Sequence, residues 1–229
     1  MNLNFSFLSK YWPMFVRGAG TTLILSFFTV LIGLIIGVFL ALLRLGKFKP
    51  LSFLSAAYTE FIRGTPLMVQ IFFIFYALPQ MGFKIPNITG LGFDFPRFAS
   101  GILAMGLNSG AYTAEIIRGG IMSIDGGQSE AGRSLGFNYI QTMYYIVMPQ
   151  TIKTVLPALG NELVVLLKET SIAGYIAMDD LTKGGNIIRS ITYNAFLPLL
   201  AVALIYLVVV LVLSYGVNCL ERRLRNSDH

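Results

Sequence analysis

The sequence predicts an all-α polytopic membrane protein: five transmembrane helices, with a helical cytoplasmic loop between the third and the fourth. Of its 229 residues 55% are hydrophobic and only 12% charged, against roughly 25% charged in ordinary soluble domains. Apolar stretches close to the ~20 residues that cross a hydrocarbon core recur along the chain. Lys and Arg gather in short flanks beside them rather than in a run interleaved with exposed aromatics, so the formal charge of +6 points to orientation in a bilayer, not to nucleic acid. No polar segment is long enough to fold separately in water, and residues 1–229 read as one membrane domain.

The chain begins without a basic start ahead of its apolar residues, and Lys10, Pro13 and Arg17 interrupt the run. A cleavable signal is therefore not expected, and Tyr11 and Trp12 suit an interfacial anchor. Spans are expected at 19–43, 53–78, 98–117 and 196–219. A fifth, 156–178, carries Glu162, Lys168 and Glu169; it is counted because the flanking loops otherwise fall on inconsistent sides. Five spans put the termini on opposite faces. With the N-terminus outside, nine Lys and Arg residues lie on inner loops, Arg44, Lys47, Lys49, Arg222 and Arg223 among them, against six outside. This bias places the C-terminus in the cytoplasm.

Within the first span Gly33 and Gly37 form a small-xxx-small pair that lets a second helix approach closely. In the second, Thr65 and Pro66 are placed to kink the helix and free backbone groups. The outer connections, 79–97 and 179–194, are rich in Gly, Pro and Asn and are expected to be irregular. The largest inner loop, 118–153, contains SEAGRSLGFNYIQTMYYIVMPQ. Here 129–135 has helix-forming character, with Glu130 in the first turn, where the helix dipole favours an anion. Gly136 supplies the positive φ that ends it. A second amphipathic run, 139–147, sets Ile140, Met143, Tyr144 and Val147 on one stripe before Pro149 breaks it. So short a helix is marginal alone and calls for a partner.

Catalytic classes are poorly served. Cys219 is alone and His229 is the only histidine, which removes a Cys/His metal site. No G-x-x-x-x-G-K-[ST] occurs, and Gly46-Lys47 is followed by Phe48, so the chain lacks the usual ATP cradle.

Polar residues inside spans are costly and default to functional candidates. Arg63 and Gln70, Asn108 and Glu115, and Asn161 and Lys168 each lie seven residues apart, near two turns, so each pair shares one helix face. Given the alternating directions of the spans, Arg63, Glu115 and Asn161 fall at an inner depth, and Gln70, Asn108 and Lys168 nearer the middle. Two polar tiers of this kind could line a solute path, with Glu115 holding an amino or guanidinium group and the amides making neutral hydrogen bonds. A plainer role competes: Glu115 with Arg118, and Glu60 with Arg63, are spaced for pairs along their own helices, and the amides can join helices. Glu162 and Glu169 are rotated by about 100° toward another surface. Counting Glu60, Glu115, Glu162 and Glu169 against Arg63 and Lys168 leaves a carboxylate surplus, a field that favours a cationic solute.

The loop also carries a resemblance. Glu130, Ala131, Gly132, then Gly136, Ile146, Met148 and Pro149 are similar in spacing to the EAA loop of permease subunits of ATP-binding-cassette importers. Gly132 stands where a second alanine is usual, and Met148 where leucine is. Arg63-Gly64-Thr65-Pro66-Leu67, Ala111-Tyr112-Thr113-Ala114-Glu115 with Arg118-Gly119-Gly120, and Lys168-Glu169-Thr170-Ser171 extend the resemblance to the polar amino-acid branch, over 18–223. The resemblance implies a type I importer fold in which the loop's first helix is a coupling helix docking into a cytoplasmic ATPase dimer. Glu130 and Arg133 would pair with charges there, while Ala131, Gly132 and Gly136 keep bulk away. It also implies ATP and magnesium bound by that ATPase, a second permease subunit completing an alternating-access path, and an extracellular or periplasmic binding protein. An ion-coupled secondary transporter with Glu115 as its titrating group, or a scaffold that merely anchors an ATPase, are the rivals. The first usually shows internal repeats, which are absent.

Overall fold

The computed structural model describes residues 6–88, 90 and 93–225; His229 lies outside them. All regular structure among these residues is helical. In chain order the elements are α1 (Ser6–Leu45), α2 (Lys49–Arg63), α3 (Leu67–Phe72), a π-helical turn (Phe73–Ala77) and α4 (Leu78–Gln80). Then come α5 (Phe95–Met122), α6 (Gly126–Ser134), α7 (Tyr139–Thr142), a second π-helical turn (Met143–Val147), α8 (Met148–Glu169), a 3-10 segment (Thr170–Ile176), α9 (Leu181–Thr192) and α10 (Phe196–Arg225).

The 40 residues of α1 span about 60 Å at 1.5 Å each, twice a hydrocarbon core of about 30 Å. The helix extends ahead of the expected span 19–43 and runs through Pro13. Tertiary packing explains this, since Phe15, Leu181, Ile188 and Val202 form a buried cluster that clamps the N-terminal turns of α1. Further along the helix α1 packs against α5 through small residues on both helices. A side chain at Gly33 would fall on Ser109, and one at Gly37 on Thr113. Reciprocally, Gly106 and Gly110 of α5 receive Ile32 and Ile36. Without a hydrophobic force between helices in lipid, such close backbone approach supplies the packing. On the opposite side Phe27, Ile35, Phe39 and Leu42 are exposed, as a lipid-facing surface requires.

α2 is tied to its neighbours by hydroxyl groups: Ser55 Oγ donates to Leu40 O at 2.8 Å, and Tyr58 Oη to Leu107 O at 2.9 Å. The expected second span is not one rod. The axis turns by 102° between Lys49–Arg63 and Leu67–Gln80, because Pro66 cannot donate to the ladder and its ring drives the preceding residue out of helical geometry. By length and composition α1 and α10 alone could each cross a membrane, and the bent pair could be a third span. α5 and α8 coincide with two further expected spans, but polar and small residues on their packed faces lower their hydropathy.

Both π-helical turns end two residues before a proline, Pro79 and Pro149. Pro149 was expected to break its helix, yet α7, the turn and α8 form one continuous rod. A π turn shifts the carbonyls by one position, and the proline, at the start of the following α segment, needs no donor of its own. α8 then tolerates Pro157 internally.

A second correction concerns 179–194. Its Gly and Asn content suggested an irregular connection, but 181–192 is helical, with Leu181, Gly184, Gly185 and Ile188 buried. The glycines permit close packing: a side chain at Gly185 would collide with Val202 of α10. The helix starts at Asp180, fully buried, whose carboxylate accepts from Thr182 N at 3.0 Å and Lys183 N at 2.9 Å. Burial pushes this carboxyl above its ordinary value, against the opposing pull of those backbone donors.

Candidate translocation path and coupling surface

At middle depth two of the candidate amides meet directly. Asn108 Nδ2 donates to Gln70 Oε1 at 3.0 Å, and Asn108 is 4% exposed. Gln70 Nε2 turns back to the fracture between α2 and α3, within 2.7 Å of Ile62 O, 3.1 Å of Thr65 O and 2.8 Å of Thr65 Oγ1. Those carbonyls are the backbone acceptors that the break releases, so the Gln70 amide replaces lost ladder bonds. Lys168, the third residue of this tier, is exposed on α8. It shares a cavity of about 350 Å3 with Ser171, Thr182 and Tyr206.

The inner tier is dominated by arginine. Glu115 Oε2 accepts from Arg118 Nη2 at 2.8 Å and Nε at 3.0 Å, while Oε1 pairs with Arg44 Nη1 at 3.2 Å. Arg44 also donates to Thr59 Oγ1 at 3.0 Å, so one side chain fastens α1 to both α2 and α5. Arg63 lies over the Tyr112 ring, 5.2 Å from its centre, an arrangement that stabilises a guanidinium. Its field reaches Glu115. Glu115 is therefore already matched by cations and is poorly placed to take a further ammonium or guanidinium from a solute. The expected Glu115–Arg118 pair forms; the alternative Glu60–Arg63 pair does not occur among the described residues. Asn161, the third member of this tier, is exposed together with Thr154, Ala158 and Lys168, a stripe along one face of α8.

Below the membrane helices, α6 is fixed at both ends. Asp125 caps it, accepting from Gly127 N at 2.6 Å, and Gly136 leaves it at φ 83°. The start is three residues earlier than expected, so Glu130 sits in the second turn and Asp125 is the anion at the dipole. Asn138 and Gln141 then form a reciprocal capping box that opens α7. Glu130, Ala131, Arg133 and Gly136 all face outward. Gly132 does not: it is buried, and a side chain there would come within 2.9 Å of Thr142 and Ile146. Its smallness lets α6 lie on the second π turn rather than on a partner. The expected stripe also divides, because the π turn rotates the rod: Val147 is buried, whereas Ile140 and Tyr144 are 76% and 69% exposed. With Leu135, Tyr139 and Tyr145 they form an uncovered apolar patch beside the charged α6.

The inner membrane component of binding-protein-dependent transport systems is the family whose model matches residues 33–226. The chain belongs to that family. Across its full length this binding-protein-dependent permease is 37% identical to the arginine transport system permease protein ArtQ of Bacillus subtilis (strain 168), covering 100% of both chains. It is 39% identical over 225 residues to a protein of the same organism named a probable glutamine ABC transporter permease, GlnM, covering 98% of this chain and 100% of that one. A crystal structure of an amino acid ABC transporter with histidines contains a chain that superposes with a TM-score of 0.88 at 43% identity, covering 97% of this chain and 100% of that one. The MetNI methionine ABC transporter in an inward-facing conformation shares the fold, with a TM-score of 0.71 at 20% identity over 92% of this chain and 96% of that one.

Four residues of this permease escaped the sequence reading. Arg44 counted only as an orienting charge, Tyr112 only as a member of the Ala111-Tyr112-Thr113-Ala114-Glu115 motif, and Thr59 and Asp180 carried no signal. Arg44, Thr59 and Tyr112 act through partners 15 or more positions away, so no local pattern announces them, and Asp180 caps α9 within a stretch that read as irregular.

Proposed function

We propose that the chain is the transmembrane permease subunit of an ATP-driven amino-acid importer, paired with a second permease subunit, here a copy of itself, to enclose an alternating-access path. The supporting observation is mechanical. The α7–α8 rod carries the Asn161–Lys168 face at membrane depth and, through the π turn, the seat on which α6 rests. Displacement of α6 is thereby applied directly to the path-facing helix. A cytoplasmic ATPase dimer, holding ATP and magnesium, grips α6 through Glu130 and Arg133 and the apolar patch beside them. Charge at the rim and aromatics at the centre suit such a contact. Nucleotide binding and outward opening then favour each other reciprocally.

In this arrangement the N-terminus lies outside and the C-terminus in the cytoplasm of a bacterial inner membrane. An extracellular or periplasmic binding protein delivers the solute to the outer face. Gln70, Asn108, Glu115, Arg63, Asn161 and Lys168 border the path. Asn161 and Lys168 contact solute, and the other four hold the helices around it. A polar, basic amino acid is the preferred solute, a reading that no longer leans on the carboxylate count and is supported by arginine transport being named for one of the relatives.

Reconstitution in vesicles tests the assignment. Uptake of labelled arginine that requires ATP, the ATPase and the binding protein is expected, with glutamine taken up more slowly. Uptake driven by an ion gradient without ATP would overturn the importer reading, and equal rates would overturn the basic preference alone.

A further inference from the structure

Between Arg17 and Arg44, both on α1, the helix carries no charged residue. Their separation along the axis is about 40 Å at 1.5 Å per residue, close to the roughly 40–45 Å between the two headgroup layers of a bilayer. With Arg44 at one headgroup layer, Arg17 lies at the other. The start of α9 is held at the same level, since a side chain at Gly18 would come within 2.8 Å of Leu181 Cα and 2.9 Å of Asp180 O. Here a pocket of about 140 Å3, lined by Met14, Arg17, Asp179, Asp180 and Ile187 among others, opens between α1 and α9. It is roughly ten times what one water needs. Asp180 is buried, and its carboxylate is occupied by Thr182 N and Lys183 N. Arg17 and Asp179 are exposed, and among the described residues neither side chain has a hydrogen bond or an ion pair, with the other or with any neighbour.

A guanidinium and a carboxylate that border one pocket without meeting are matched by a ligand that carries both opposite charges. We propose that this pocket binds the headgroup of a phospholipid with a primary ammonium, the phosphate on Arg17 and the ammonium on Asp179. The planar guanidinium fork suits a phosphate, and the carboxylate accepts from the N–H donors of a primary ammonium. A trimethylammonium headgroup has no such donors, and an anionic headgroup leaves Asp179 unmatched. The acyl chains have a surface to follow. On the face of α1 that carries Arg17, the next turn inward presents Gly20, where an added side chain would meet nothing within 4 Å. Below it come Ile24 and Phe27, 52% and 64% exposed. A lipid seated there joins α1 to α9 at the membrane surface. In the orientation proposed above this is the outer leaflet; that assignment rests on the importer reading, and the binding chemistry does not.

The full chain in detergent allows a test that does not depend on transport. The readout is thermal stabilisation by dihexanoylphosphatidylethanolamine, with the phosphatidylcholine and phosphatidylglycerol of the same chains and free glycine as comparisons. Saturable stabilisation is expected, strongest for the ethanolamine lipid and absent for glycine. Asp179→Asn should weaken the ethanolamine lipid about tenfold, to the level of the choline lipid, and leave the choline lipid unchanged. Arg17→Gln should weaken both, and Arg17→Lys, which keeps a cation for the phosphate, should retain binding; melting without lipid checks that each variant folds. Equal stabilisation by the three lipids, or a preference for ethanolamine that survives Asp179→Asn, would overturn the site. So would an equal effect of glycine, which would assign the pocket to a free amino acid. Failure of the importer reading would appear in vesicle uptake and leave this binding result untouched.

Discussion

Asn108 donates to Gln70 across 3.0 Å, and through that bond α5 holds the point where α2 and α3 part at 102°. Gln70 is the keystone: its oxygen faces α5 and its nitrogen the carbonyls freed by the break. Replacing Asn108 with Leu leaves the Gln70 oxygen unpaired in a buried setting, which costs about 1–3 kcal/mol. A lowered melting temperature of the solubilised protein is expected, and Gln70→Leu should cost less in this background than it does in the wild type. Full additivity of the two losses would show that the bond carries nothing.

Glu115 does comparable work at the inner end. Its side chain is 18% exposed and its partners Arg44 and Arg118 are 22% and 28% exposed, so the pairs are screened less than surface ones. Glu115→Gln leaves three guanidiniums near one another without a counter-charge, an expected loss of about 1–2 kcal/mol after allowance for that partial exposure. Arg44→Met should cost less, because Arg118 still neutralises Glu115. A double-mutant cycle on thermal stability measures the coupling, and a larger loss for Arg44→Met than for Glu115→Gln would contradict this account.

Asp180 gives a pH dependence of definite sign. Burial raises its carboxyl above the ordinary aspartate value of 3.8, so in the window just above that value the folded protein binds more protons than the unfolded chain. The linkage relation then makes this group's contribution fall as pH rises through the window. Asp180→Asn keeps an oxygen to cap α9 and removes the charge. The variant should match the wild type in the acid window and exceed it at neutral pH, in melting curves taken across both. A deficit at neutral pH would mean that the capping bonds outweigh burial.

Much of the fold was legible because the signals are local. Hydropathy located the helices, Gly136 announced the end of α6, and Gly33 with Gly37 announced a close helix contact. The glycine pattern did not say which helix would answer, because Ser109 and Thr113 lie more than 70 positions along the chain. The sharpness of the turn at Pro66 was hidden for a similar reason: proline signals a kink, but only the bond network of Gln70 fixes its size. α9 was missed because Gly184 and Gly185 read as breakers until Val202 packs against them. Of the candidate site, Gln70 and Asn108 were correctly read as neighbours in depth. Glu115 looked available only because Arg44 is 71 residues away in sequence.

The two π turns share one local cause, and that cause can be removed. Each sits just before a proline, and the second lies between α6 and the α8 stripe. With Pro149→Ala the ring clash and the missing donor both disappear, so an ordinary α register becomes accessible at 143–147. Relaxation to that register removes the extra residue from the turn and rotates everything N-terminal to it by about 100° relative to Asn161. The substitution should leave the melting temperature unchanged or raised, since alanine favours helix, while ATP-driven uptake falls several-fold. Stability and transport would thus move in opposite directions. A parallel Pro79→Ala change, made beside the π turn that does not touch α6, should leave the coupling of hydrolysis to uptake intact. Loss of coupling in both variants, or in neither, would show that the register of the second turn does not transmit motion from α6 to α8.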